Sequence, residues 1–300
     1  VLSRLDRLPA EEQLTLKVSA VIGRSFLLRT LQDVYPTRIE RAELRSHLEH
    51  TSRRRLTLLE IEDPEPSYAF QHVVTQQVAY DTLLFEQRRE LHRSVAGWYE
   101  RTYAEHLDPQ YPLLVVHWNR AGHGEKECEY CRLAGEQAAS RHANAEAEIY
   151  FTRALELIDD LDGPGGSDRR TAILRQRARI FGLLGGVEEE RSDLERLLPI
   201  AEASGDPTER GEVLLLWSDF HKRGGQFEES KEHGDLALSA MVEARDTAGQ
   251  ARALTQIGNA LEGEGRFQEA REFVRRALDT FRDGDVVDGQ AASLKSLGII

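Results

Sequence analysis

The feature that most constrains this chain is a period of 40 residues. Leu254, Ile257, Gly258, Leu261, Gly265, Phe267, Ala270 and Val274 have counterparts in Leu214, Trp217, Ser218, His221, Gly225, Phe227, Ser230 and Gly234. Forty positions earlier again stand Leu174, Arg177, Ala178, Phe181, Gly185, Val187, Glu190 and Leu194. A further half unit is expected at Leu294, Leu297 and Gly298. Apolar residues at the first, fourth and eighth places share one face of a helix. A small residue beside the fourth place lets a partner helix come close, and a glycine seven positions on suits the turn between the two helices. One such unit cannot bury its apolar face alone, so the pattern requires helix pairs stacked on their neighbours.

This spacing resembles the tetratricopeptide repeat in a longer form of about 40 residues. A looser unit fits Gly135, Ala147, Phe151, Ala154 and Leu155, and Asp162-Gly163-Pro164-Gly165-Gly166-Ser167 reads as an inter-helix loop. A phosphate cradle there is excluded, because no Lys-Ser or Lys-Thr follows the glycines. The expected fold is mainly α: a winged-helix-like head with a β-hairpin, then an α-α superhelix of tetratricopeptide-type repeats. The expected divisions are 1–72 for the head, 73–130 for connecting helices and 131–300 for the repeats, the last one truncated.

In the head, Pro9-Ala10-Glu11-Glu12 opens an amphipathic helix, and further helices are predicted at Phe26 to Val34 and Ile39 to His50. Leu56 to Glu62, then Asp63-Pro64-Glu65-Pro66, then Tyr68 and Phe70 read as a hairpin. Helices near Val73 to Leu84 and Glu86 to Tyr103 lead into the array.

Charge narrows the partners. The net charge is −13, with 14 basic and 15 acidic residues in 1–100 against 25 and 37 beyond, so the acidity belongs to the repeats and disfavours a nucleic-acid partner there. The longest apolar runs, Leu113 to Val116 and Val213 to Trp217, are too short to span a bilayer, so no membrane association is expected. Two cysteines are too few for a disulfide framework, which fits a cytoplasmic setting. The chain starts at Val1 and its one methionine is Met241, so it is expected to be a piece of a longer protein.

A second resemblance rests on Ser19-Ala20-Val21-Ile22-Gly23-Arg24-Ser25-Phe26, Phe70-Gln71-His72, Val78-Ala79-Tyr80-Asp81, Arg88-Arg89-Glu90-Leu91-His92 and Tyr111-Pro112-Leu113-Leu114 with His117-Trp118. These look like the region after the nucleotide-binding core of bacterial STAND-type signalling ATPases, especially those fused to class III adenylate or guanylate cyclase domains. Related arms occur in large LuxR-type regulators and some Ser/Thr kinases. Gln77 departs from the pattern, which usually has glutamate there. The resemblance implies an output domain, an ATPase core, a winged helix and a repeat arm, of which the last two are present. ATP or ADP and magnesium are then expected for the upstream domain and no cofactor for this chain, which carries no Gly-x-x-x-x-Gly-Lys-Ser/Thr. The chain is thus expected to be a non-catalytic regulatory arm.

His72 resembles a winged-helix histidine that contacts the phosphate of the bound nucleotide in such ATPases; the other reading is a histidine capping the next helix. Cys128 and Cys131, with His117 and His123 upstream, offer zinc-ligand types, but cysteines three apart on a helix share a face, so they are read as buried core and no metal is expected. Arg53-Arg54-Arg55 could touch DNA phosphates, yet Glu40, Glu43 and Glu49 beside Arg41 and Arg45 leave the candidate recognition helix without a positive face. Packing on the ATPase core is preferred there, and a DNA-binding regulator is the alternative function. In the repeats, residues one and five places after the first apolar position face the inner surface: Arg175, Arg179, Leu215, Asp219, Thr255, Asn259 and Lys295. Such a mixed polar groove suits a protein or peptide partner.

Overall fold

Apolar spacing and proline placement set the first helices. The computed structural model describes residues 2–162 and 168–283. The chain divides into two compact units, Val1–Ala134 and Gly135–Ile300. A single turn, α1 (Leu2–Leu5), precedes α2 (Ala10–Ile22), which is entered from Pro9 with Glu11 and Glu12 in its first turn, where carboxylates complement the helix dipole. Strand β1 (Ser25–Leu27) and the short α3 (Leu28–Asp33) follow, then α4 (Arg41–Arg53). Helix α4 buries only Leu44, Leu48 and Thr51, a single stripe at spacings of four and three, and turns its charged remainder outward.

Strands β2 (Thr57–Ile61) and β3 (Ser67–Phe70) form the expected hairpin, with a register shift between Leu59 and Ile61. The sheet is antiparallel with order β1-β3-β2. The helix predicted from Phe26 is corrected here. Residues Ser25–Leu27 pair with Ser67–Ala69 of β3 instead, and the pairing seats Phe26 against Tyr68 (ring centroids 6.2 Å) and Phe70 (6.0 Å). A free strand edge thus outweighs local helix propensity.

The core of this unit continues beyond the hairpin. Leu16, Leu28, Leu31, Leu44, Leu48, Leu56 and Phe70 are joined by Ala79 of α5 (Val73–Asp81) and by Leu91, Val95 and Trp98 of α6 (Phe85–Thr102). The Trp98 indole donates to Asp33 at 2.8 Å, tying α6 to α3. A second cluster joins α6 to α7 (Tyr111–Ala121) and α8 (Gly124–Ser140) through Ala96, Leu114, Trp118 and Tyr130. Cys128 and Cys131 are buried on α8, as their shared face requires.

The second unit contains α9 (Asn144–Asp162), α10 (Asp168–Leu184), α11 (Val187–Ser204), α12 (Pro207–Arg223), α13 (Phe227–Glu243), α14 (Thr247–Gly263) and α15 (Phe267–Asp283). From α10 on they pair as α10/α11, α12/α13 and α14/α15, and first helices of successive pairs adjoin. Gly185, Gly225 and Gly265 occupy the inter-helix turns with φ of 81°, 74° and 76°, a left-handed conformation that strains any residue with a Cβ. Close approach is served at Gly258, where an added Cβ would lie 2.5 Å from Val274 Cγ2. One repeat earlier the same small-residue contact is Ser218 against Ser230, each hydroxyl donating to the other's carbonyl at 2.8 Å. Asp206 and Asp246 cap α12 and α14 by accepting the Thr208 and Gly249 amides. The half unit at Leu294, Leu297 and Gly298, and the loop Gly163–Ser167, lie outside the described residues.

Candidate functional site: the groove of the repeat helices

The first helices of three successive pairs line a cavity of about 510 Å³ that holds Arg179 of α10, Glu212, Leu215 and Asp219 of α12, Arg252, Thr255, Gln256 and Asn259 of α14, and Phe281 of α15. Glu212 is its charge centre. Its carboxylate accepts Arg179 Nη2 at 3.3 Å and Arg252 Nη2 at 2.5 Å, one guanidinium from each flanking helix. Asp219 is held by Lys222 Nζ at 2.8 Å and by Arg223, and Lys222 also donates to Gln256 Oε1 at 3.4 Å. Burial pushes Arg179 and Lys222 below their ordinary pKa values, with Glu212 opposing the shift at Arg179. The result is a walled polar strip whose charges are paired but partly desolvated. A ligand with its own carboxylate or guanidinium can exchange into such pairs without creating a lone buried charge.

Of the inner-surface residues read from sequence, Arg179, Leu215, Asp219, Thr255 and Asn259 line this cavity together. Arg175 is half-buried one turn away on α10, close enough to Arg179 to disfavour its charge, but does not line the cavity. Lys295 lies outside the described residues. Glu212, Arg252, Gln256 and Phe281 were missed. Glu212 and Gln256 stand three residues before Leu215 and Asn259 on the same helical face, so extending the inner positions by one turn finds both.

In the first unit, three residues from separate motifs of the second resemblance meet. Arg120 donates to the Tyr80 hydroxyl at 3.2 Å, Tyr80 lies 3.0 Å from His92 Nε2, and His92 Nδ1 lies 2.9 Å from His117 Nδ1. A neutral imidazole carries one N–H, so His92 donates in one of its two contacts and accepts in the other. The chain borders a cleft of about 500 Å³. Burial lowers the pKa of His92 to about 3, helped by His117, Arg120 and Arg88, and lowers that of His117 to about 4, helped by Arg120. Both imidazoles are neutral at physiological pH. His72 stands at the N-cap of α5 with an exposed side chain that makes no capping bond; its carbonyl accepts the Thr75 amide at 2.9 Å. Gln77 donates to both Asp81 oxygens at 3.0 Å, where a glutamate would repel them.

Residues 209–283 match the family model of the tetratricopeptide repeat. An uncharacterised protein of Rhizobium meliloti (strain 1021) is 32% identical over 97 residues, which are 32% of this chain and 9% of that protein. The chain therefore matches less than a tenth of the length of this curated relative. Among solved structures, BtubC from P. vanneervenii is similar with a TM-score of 0.52 and 16% identity, over 70% of this chain and 87% of that one. A Rap protein complexed with competence and sporulation factor gives 0.53 and 13%, over 96% and 70%. A signal transduction ATPase with numerous domains (STAND) carrying a tetratricopeptide-repeat sensor, from Pyrococcus horikoshii, gives 0.44 and 11%, over 98% and 47%. The first two likenesses show the fold: a mainly helical chain of tetratricopeptide-type repeats with a small sheet. No helix among the described residues is long and apolar enough to cross a membrane.

Proposed function

We propose that this chain is the non-catalytic regulatory and protein-interaction arm of a signal-transduction ATPase that controls a fused cyclase. The observation that carries the reading is the Glu212-centred groove, which gathers charged groups from successive repeat helices on one surface. In this reading the groove receives a protein or peptide whose charged side chains exchange with Arg179 and Arg252. Residues 1–72, which hold the three-stranded sheet and helices α1 to α4, act as a winged helix that docks on the nucleotide-binding core expected upstream, where ATP or ADP and magnesium are bound. In this reading His72 meets a nucleotide phosphate on that core; its exposed side chain, which makes no capping bond at the N-cap of α5, supports the role. Occupancy of the groove then biases an off state against an on state.

The test uses the full-length parent protein with a photo-crosslinking residue at Asn259. Partner crosslinks are expected to fall at least tenfold in Arg179→Glu/Arg252→Glu, with cyclase output changed in parallel; crosslinks that persist unchanged remove the groove from the site. The DNA-binding alternative requires a positive face on α4. Arg41 pairs with Glu65 at 2.9 Å and Arg45 with Glu62 at 2.8 Å, so the hairpin neutralises that face and the regulatory reading is preferred.

A further inference from the structure

Five arginines of the first unit surround one cleft. Arg4 of α1, Arg7 of the following turn, Arg53 at the end of α4, and Arg54 and Arg55 just beyond it line a cavity of about 430 Å³, floored by Leu56. They are five of the 14 basic residues in 1–100. All five side chains are exposed, and among the described residues none meets a carboxylate within ion-pair distance. Among the described residues only the Arg54 guanidinium has a protein acceptor, the Arg7 carbonyl at 3.5 Å, a contact that draws the two segments together.

Other arginines of the same unit do meet carboxylates: Arg41, Arg45, Arg88, Arg89 and Arg93 each form an ion pair. What sets the five apart is that they are gathered on one cleft. The acid nearest in sequence, Asp6, lines a different cavity with Gln13 and Lys17, and so does not serve the cluster. Five like charges held on one rim repel one another, and an anion placed among them relieves that cost while using the planar donor forks of several guanidiniums at once.

The geometry points to an oligophosphate site: we infer that the Arg4, Arg7, Arg53, Arg54 and Arg55 cleft binds a compact, multiply charged phosphoryl group such as a linear di- or triphosphate. A compact anion fits better than a duplex. Duplex binding needs a track of cations spaced along two backbones, and the neighbouring outer face of α4 is closed by its ion pairs to Glu62 and Glu65. A concave cleft of about 430 Å³ lined by all five instead suits a compact anion.

The experiment is calorimetric titration of the 300-residue chain with sodium triphosphate at 0.15 M salt, with sulfate and a 15-base-pair duplex as parallel arms. Two variants test the residues. Arg53→Gln/Arg54→Gln removes two exposed cations. Arg55→Gly removes a third while suiting its backbone, which is left-handed at φ 57°, so the local conformation is kept. Saturable one-site triphosphate binding, weakened at least tenfold by the double variant and about threefold by Arg55→Gly, with sulfate much weaker, supports the site. Triphosphate binding that neither variant changes overturns it. Duplex binding that the variants abolish, with no saturable triphosphate binding, overturns it in favour of a nucleic-acid backbone contact.

Discussion

The two units bury nitrogen bases in opposite ways. The first unit holds His92 and His117 neutral, each 3% exposed, in a hydrogen-bond chain that ends at Tyr80 and Arg120. The second holds Arg177 charged, its guanidinium against Asp193 at 2.6 and 2.8 Å, with the aspartate fully buried. An imidazole can shed its proton to enter a low-dielectric site, whereas a guanidinium cannot and must bring an anion with it. The histidine chain is therefore sensitive to acid, and the arginine pair to loss of its partner.

Among single substitutions, the largest effect is expected from breaking the charged pair. Asp193→Ala leaves the half-buried Arg177 guanidinium without its anion, held by the Thr152 hydroxyl at 3.2 Å, and is expected to cost about 3 kcal/mol, the low end for a broken buried pair, read as a fall in the urea midpoint of the repeats. Replacing both residues by leucine is expected to recover most of that loss, because the site then matches the apolar filling of the later repeat, where Ile257 occupies the place of Arg177. A double variant as unstable as the single one would show that the pair specifies the packing of α10 on α11.

Acid is expected to act on the first unit. Because the folded pKa values lie below 6.5, at about 3 and about 4, the unfolded chain takes up protons first as pH falls. Stability is full above pH 6.5 and declines by about 1.4 kcal/mol per pH unit for each imidazole until the folded values are reached. Imidazole 15N shifts across pH 7 to 4.5 read the protonation directly. An imidazole of this pair titrating near 6.5 would break the contrast between the units.

The smallest effect sharpens the comparison within the repeats. Gly258→Ala puts a Cβ 2.5 Å from Val274 Cγ2, an overpacking cost of about 1–3 kcal/mol that outweighs the ~1 kcal/mol gained in helix propensity. Net destabilisation of about 1 kcal/mol is expected in thermal unfolding. The first repeat already holds Ala178 at this place, fully buried, so the penalty belongs to the packing of α14 on α15. An unchanged melting temperature would show that Val274 moves aside freely.

Much of the second unit was legible because the 40-residue period repeats both helices and turns. Gly185, Gly225 and Gly265 carry the turns the pattern assigned, and five of the seven inner-face residues line one groove. The fourth place of each repeat was less legible. It holds Arg177, Trp217 or Ile257, and only the structure shows that Arg177 is admitted there by Asp193, sixteen residues away on the partner helix. In the first unit the hairpin was legible from its alternation and prolines. Strand β1 was not, since three residues carry too little periodicity to outweigh a helical run, and their pairing partners, Ser67–Ala69, lie far downstream.

The sequence by itself determined that the second unit is a stack of helix pairs, because a repeated apolar face can be buried only against a copy of itself. It determined as well where each pair turns and which face looks inward. Only the tertiary structure decided which polar groups meet: Glu212 between Arg179 and Arg252, His92 against His117, and five arginines left without an acid. Side-chain charges carry no period. Their energies depend on distances of a few ångströms between segments far apart in the chain, and those distances exist only once the backbone has folded.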